Sequence, residues 1–154
     1  MYKILVRTFY FFANPFRKLY WFIFRPETRG VKCVVQHNGY FLLTRLGYAH
    51  KKWTIPGGGV KKRETWEEAA RREIFEEVGI KLGEIKKVGE YKNTREYKRD
   101  TVFVFHSIVS SPNFKIDNFE IAEAGWFLPR EFPKNRVPRV DMIMEFLKIN
   151  GSYV

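Results

Sequence analysis

Residues 57–80 read Gly57-Gly58-Gly59-Val60-Lys61-Lys62-Arg63-Glu64-Thr65-Trp66-Glu67-Glu68-Ala69-Ala70-Arg71-Arg72-Glu73-Ile74-Phe75-Glu76-Glu77-Val78-Gly79-Ile80, a glycine run followed by a charged segment that ends at another glycine. Thr65 to Val78 lacks Gly and Pro and is rich in Glu, Ala and Arg, so a helix is expected there, closed by Gly79. Glu73, Glu76 and Glu77 lie three and four residues apart. At 3.6 residues per turn they share an arc of about 100°. Like charges so placed repel one another, and a hard divalent cation supplies a reason to keep them: Mg²⁺ takes carboxylate, phosphate and water oxygens. The preceding glycines let backbone carbonyls and amides come close to a metal or a phosphate. Taken without their flanks, the three glutamates read first as a solvated acidic helix face; the wider pattern overturns that reading.

Outward from this stretch, the chain reads as mixed α/β. Val31–Gln36 and Tyr40–Arg45 are β-rich runs joined by His37-Asn38-Gly39, in which Asn-Gly signals a hairpin. Leu46 to Lys52 is a polar loop, and Trp53-Thr54-Ile55-Pro56 leads into the glycines. Ile85–Tyr91 and Thr101–Val109 read as strands around a charged loop, Lys92 to Arg99. Trp126-Phe127-Leu128 begins a further short apolar element. Val140, Ile143, Met144 and Leu147 have helical spacing and place a helix over Val140 to Ile149.

The 154 residues suit one domain of 18.4 kDa. With a single cysteine, Cys33, no intramolecular disulfide forms; the residue reads as a buried strand position, and a cytoplasmic setting is expected. The net charge of +11 favours polyanionic partners, among them nucleotides, RNA ends and anionic lipid surfaces. Residues 1–25 form a basic, aromatic extension ahead of a body at 26–154. Their apolar runs are broken by Asn14-Pro15 and Arg17-Lys18, which excludes a membrane span of roughly 18–20 apolar residues. The extension is expected either to pack on the domain or a second copy of it, as in a homodimer, or to make peripheral contact with an anionic membrane.

Gly58, five residues, Glu64, seven residues, and then Arg72-Glu73-Ile74-Phe75-Glu76-Glu77-Val78-Gly79-Ile80 resembles the Nudix box at all nine constrained positions. Chance agreement has a probability on the order of 10⁻⁹ per start site. Trp53-Thr54-Ile55-Pro56-Gly57-Gly58 resembles the lead-in usual in that family. The resemblance implies a Nudix-type α/β/α sandwich with a mixed sheet and a loop–helix–loop metal site for Mg²⁺, with Mn²⁺ as a substitute. It implies Glu73, Glu76, Glu77 and the Gly57 carbonyl as metal ligands, with Arg72 and Glu64 pairing beside them as supports. It also implies a further carboxylate, ligand or general base, before the tryptophan of a late strand. If that tryptophan is Trp126, Glu120 is the first choice and Glu123 the second.

The chemistry implied is hydrolysis of a diphosphate, with a carboxylate taking a proton from the attacking water. Arg95, Lys98 and Arg99 are candidates for phosphate contact, or else form a solvated basic turn. His50 is a weaker candidate for substrate contact, and His106, in an apolar run, reads as structural. Tyr97 resembles a mark of dinucleoside-polyphosphate hydrolases, at a position composition alone fills fairly often. The expected substrate is a nucleotide-like small molecule: a nucleoside triphosphate, dinucleotide or nucleotide sugar. RNA 5′ ends are the alternative of the same chemistry. A non-catalytic nucleotide-binding or membrane-docked sensor is the alternative of another class.

Overall fold

The computed structural model describes residues 27–47, 51–93, 99–116 and 120–151. The extension at 1–25, and with it the expected membrane contact, lies outside these residues, as do His50, Arg95, Tyr97 and Lys98. Along the chain run β1 (Glu27–His37), β2 (Tyr40–Leu46), β3 (Trp53–Thr54), α1 (Trp66–Val78), β4 (Lys86–Asn93), β5 (Arg99–Ile108), β6 (Ile121–Phe127), a 3₁₀ turn at Pro129–Glu131 and α2 (Arg139–Ile149).

Asn38 and Gly39 make the two-residue hairpin loop, both at positive φ (48° and 81°), with His37 paired to Tyr40. Such a turn matches the twist of the strands it joins. Beyond Gln36–Phe41 the strands part. β1 then lies parallel to β5 over ten residue pairs, Glu27–Arg99 to Gln36–Ile108, and β2 pairs antiparallel with β6 and β3. The sheet runs β3-β2-β1-β5-β4, with β6 on β2.

A helix covers each face, because successive strand side chains point to opposite sides. Val31, Cys33, Val35, Leu42 and Phe105 pack against Ala69, Ala70, Ile74 and Val78 of α1. Val34, Phe41, Leu43, Val88 and Val104 pack against Val140, Ile143, Met144 and Leu147 of α2. This is the α/β/α sandwich expected from the sequence. Cys33 is fully buried, and loss of solvent pushes its thiol up to about 12. Gly89 sits at a register shift of β4, where a Cβ would come within 2.5 Å of the Phe146 ring of α2.

Two readings need correction. Trp126 and Phe127 end a strand rather than open an element: β6 begins at Ile121, and exposed Ala122 and Glu123 followed by Gly125 hide it from an apolar-run criterion. Arg99 is the first residue of β5, opposite Glu27, and Lys92 and Asn93 still belong to β4. Backbone pairing across β1 and β4 therefore carries both strands into what composition marks as a charged loop. Among the described residues, no helix is long and apolar enough to cross a membrane.

Candidate active site

The parting of β1 and β2 opens a seat for the glycine loop. Val31 N–H donates to the Gly58 carbonyl at 2.8 Å, Cys33 N–H to the Pro56 carbonyl at 3.0 Å, and Val60 N–H to the Arg29 carbonyl at 2.9 Å. Residues 56–60 thus run along the edge of β1 that β2 leaves. That close approach explains Gly57: its φ is +133°, and a Cβ there would run into the Val31 carbonyl. At Gly58 a Cβ would stand 2.5 Å from the carboxylate of Glu73.

Helix α1 starts beyond the loop with a capping box. Thr65 Oγ1 accepts from Glu68 N–H while the Glu68 carboxylate accepts from Thr65 N–H. The helix ends at Gly79, φ 69°, whose N–H donates to the Phe75 carbonyl at 2.9 Å. Its inner face is fixed by the buried Ala69, Ala70, Ile74 and Val78. Glu73 and Glu77 are thereby held at the edge of the core beside the loop, while Glu76 stands further out with its side chain 52% exposed.

Arg72 ties the cluster together. Nε and Nη2 donate to the two Glu64 oxygens at 2.7 and 2.9 Å; Nη1 donates to Glu73 at 2.6 Å and Glu76 at 3.0 Å; Nη2 also donates to the Gly59 carbonyl at 2.8 Å. All five guanidinium N–H groups are used. These bonds raise Arg72 above its already high pKa and hold the Glu64 carboxyl down to about 2.

Glu77 differs from its neighbours. It is 7% exposed, and its Oε2 accepts the Gly57 N–H at 3.1 Å. Burial pushes its carboxyl up to about 7, reinforced by the charges of Glu73 and Glu120; the Lys32 charge and the Gly57 N–H pull it back. Glu120 sits in the turn before β6, its carbonyl accepting from Gly47 N–H at 2.9 Å. Glu123 is engaged elsewhere, in a pair with Arg45 at 2.6 Å. Among the described residues, no three His, Cys, Asp or Glu side chains converge tightly enough to hold a metal by themselves. Glu73 and Glu76 are turned onto Arg72, and Glu77 onto the loop. Glu73, Glu77 and the Gly57 carbonyl nonetheless offer only oxygen donors, and the Glu73 carboxylate packs so closely on Gly58 that a Cβ there would displace it. That set suits a hard cation.

A cleft of about 1190 Å³ opens on the α2 side of the sheet. The loop glycines 57–59 line it together with Lys32, Lys51, Lys52 and Lys62, and Tyr91, Asn93, Asp100 and Arg139 also contribute. Arg139 lies 5.1 Å from the Tyr91 ring centroid and donates to Asn93 Oδ1 at 3.0 Å. Arg99 is exposed and does not line the cleft. Lys32 was not among the expected site residues. Its Nζ donates to the carbonyls of Ile55 at 2.8 Å and Gly57 at 3.2 Å. Burial lowers its pKa; Glu77 and Glu73 raise it, and Arg139 lowers it further. The signal was a single charge inside the apolar run Val31-Lys32-Cys33-Val34-Val35.

A family model described as the NUDIX domain matches residues 26–146. A nucleoside triphosphatase NudI of Enterobacter sp. (strain 638) is 42% identical over 59 residues, 35% of this chain and 42% of that protein's length. An oxidized purine nucleoside triphosphate hydrolase of Danio rerio is 33% identical over 108 residues, 68% of this chain and 65% of that protein. The crystal structure of a MutT NUDIX hydrolase from Burkholderia pseudomallei superposes with a TM-score of 0.72 at 22% identity, covering 79% of this chain and 98% of that one.

Proposed function

Since the chain belongs to the NUDIX family, we propose that it is a divalent-metal-dependent pyrophosphohydrolase that cleaves a diphosphate linkage in a nucleoside triphosphate, dinucleotide or nucleotide sugar. The observation that carries this reading is the buried Glu77, locked to the amide of Gly57, a loop residue that itself lines a lysine-bearing cleft. The relatives named for nucleoside triphosphate hydrolysis support the substrate class.

Glu73, Glu76 and Glu77, with the Gly57 carbonyl, are the groups that would hold Mg²⁺ or Mn²⁺. When bound, the ion would supply charge neutralisation at the diphosphate. The chain's own residues do the rest. Arg72 holds Glu64, Glu73 and Glu76 in register with the Gly59 carbonyl, so that loop and helix keep one geometry. The lysines of the cleft attract and orient the polyanion. Glu120, whose charge is felt at Glu77, takes the proton of the attacking water as general base. Arg95 and Lys98 stay proposed for phosphate contact on sequence grounds, whereas Arg99 stands away from the cleft.

The net charge of +11 favours a second substrate class, RNA 5′ ends. One experiment addresses both: Mg²⁺-dependent release of phosphate or nucleotide from triphosphates, dinucleoside polyphosphates, nucleotide sugars and 5′-triphosphate RNA, with Glu77→Gln alongside. Turnover is expected on one class and to collapse in the variant. No turnover on any of them, with nucleotide still bound by both proteins, would leave a binding module in place of an enzyme.

A further inference from the structure

Strand β1 carries one ammonium among Val31, Cys33, Val34 and Val35, all of them buried. The Lys32 Nζ stands on the carbonyls of Ile55 and Gly57 at 2.8 and 3.2 Å, in the field of Glu77 and Glu73. Gly57 thus joins two opposite charges: its N–H donates to Glu77 and its carbonyl accepts from Lys32. Lys32 also lines the cleft in which a diphosphate would lie.

We propose that Lys32 is a built-in counter-cation that keeps the carboxylate site's affinity for a free divalent ion low and favours an ion that arrives with a diphosphate. This rests on the reading of Gly57, Glu73 and Glu77 as the metal-holding groups. A fixed positive charge beside the Gly57 carbonyl shares that oxygen's lone pairs and repels a dication. The same charge attracts a metal–diphosphate complex, which is anionic overall. One residue therefore moves the two affinities in opposite directions. A lysine that only braced the loop would, on removal, weaken both.

The test compares the wild type with Lys32→Met and Lys32→Gln, two neutral variants of which the second keeps a donor for the loop carbonyls. Circular dichroism and thermal melting establish folding. The probes are Mn²⁺ alone, followed by electron paramagnetic resonance, and Mn²⁺ with methylenediphosphonate, followed by calorimetry. In the neutral variants free Mn²⁺ is expected to bind about tenfold more tightly and the Mn²⁺–methylenediphosphonate complex about tenfold more weakly, the scale of a partly screened unit charge a few ångströms away. Both affinities falling together, or neither moving while the wild type binds Mn²⁺, overturns the inference and leaves the metal reading standing. Absence of Mn²⁺ binding from all three proteins, with and without methylenediphosphonate, overturns the metal reading and this inference with it. Should the Met variant fail to fold, the Gln variant carries the same comparison, and Lys32→Arg, which keeps the charge, is expected to retain wild-type order.

Discussion

Replacing Arg72 by alanine removes five donated hydrogen bonds, four of them to carboxylates. The Arg72, Glu64 and Glu73 side chains are 18%, 13% and 15% exposed, so water replaces the lost partner poorly; Glu76, at 52%, is rehydrated almost freely. Breaking a buried pair by deleting one partner costs roughly 3–5 kcal/mol. Discounted for partial exposure, the loss here comes to about 3 kcal/mol. For a chain of this size about 1 kcal/mol corresponds to roughly 2–4 °C in Tm, so a fall of about 6–12 °C is expected. Arg72→Lys keeps the charge but has three donors on one nitrogen in place of a planar fork, and should recover about half of that loss. Differential scanning calorimetry in chelator measures both. Repeating the scans in millimolar Mg²⁺ should restore more stability to Arg72→Ala than to the wild type, because the released Glu73 and Glu76 carboxylates then gain a cation. A fall in Tm below about 2 °C for Arg72→Ala, or a Lys variant that melts with the wild type, would refute the assignment of Arg72 as the tie between loop and helix.

Gly57→Ala places a Cβ against the Val31 carbonyl at φ +133°, and a loss of at least about 3 kcal/mol is expected in denaturant titration. Gly58→Ala displaces the Glu73 carboxylate instead, so activity should fall much further than stability does; parallel melting and turnover assays separate the two. The folded Glu77 carboxyl, at about 7, lies above its usual 4.5, so the native state binds that proton more tightly than the unfolded chain. In chelator its contribution is neutral below pH 4.5 and becomes destabilising, by up to about 3 kcal/mol, as pH rises through 7. The fall in Tm across that window should flatten in Glu77→Gln, and an identical profile in the variant would contradict the assignment. Glu120→Gln should lower kcat about 100-fold or more as the loss of a general base, whereas Glu123→Gln, which removes only an exposed pair with Arg45, should stay near wild type. Steady-state kinetics on the preferred substrate distinguishes them.

The nine constrained positions between Gly58 and Ile80 announced both the helix and its acidic face, because a motif of that length constrains local geometry as well as chemistry. The β-rich runs Val31–Gln36 and Tyr40–Arg45 and the helical spacing of Val140–Leu147 disclosed the mixed α/β layers. Three things stayed hidden, each for a physical reason. β6 carries exposed Ala122 and Glu123 and a glycine, so its membership is decided by pairing with β2 rather than by composition. The pairing of Arg72 with Glu64 was expected, but its further reach to Glu73 and Glu76 is a matter of rotamers, which spacing does not reveal. Lys32 was visible as a misplaced charge in an apolar run, but what it touches depends on the glycine loop lying against the far edge of its strand.

That loop also bears on motion. Hydrogen bonds from Val31, Cys33 and Val60 zip residues 56–60 to β1 as though they were another strand, and β1 is paired along its other edge with β5. Opening the loop breaks all three of these bonds along one edge of β1, so the amides of Val31, Cys33 and Val60 should exchange slowly with solvent. The groups beneath the proposed diphosphate site are in that sense a fixed anvil. Under the proposed function, adjustment falls to the other walls of the cleft, and amides that exchange quickly in the resting protein and slow down under a bound nucleotide will map them.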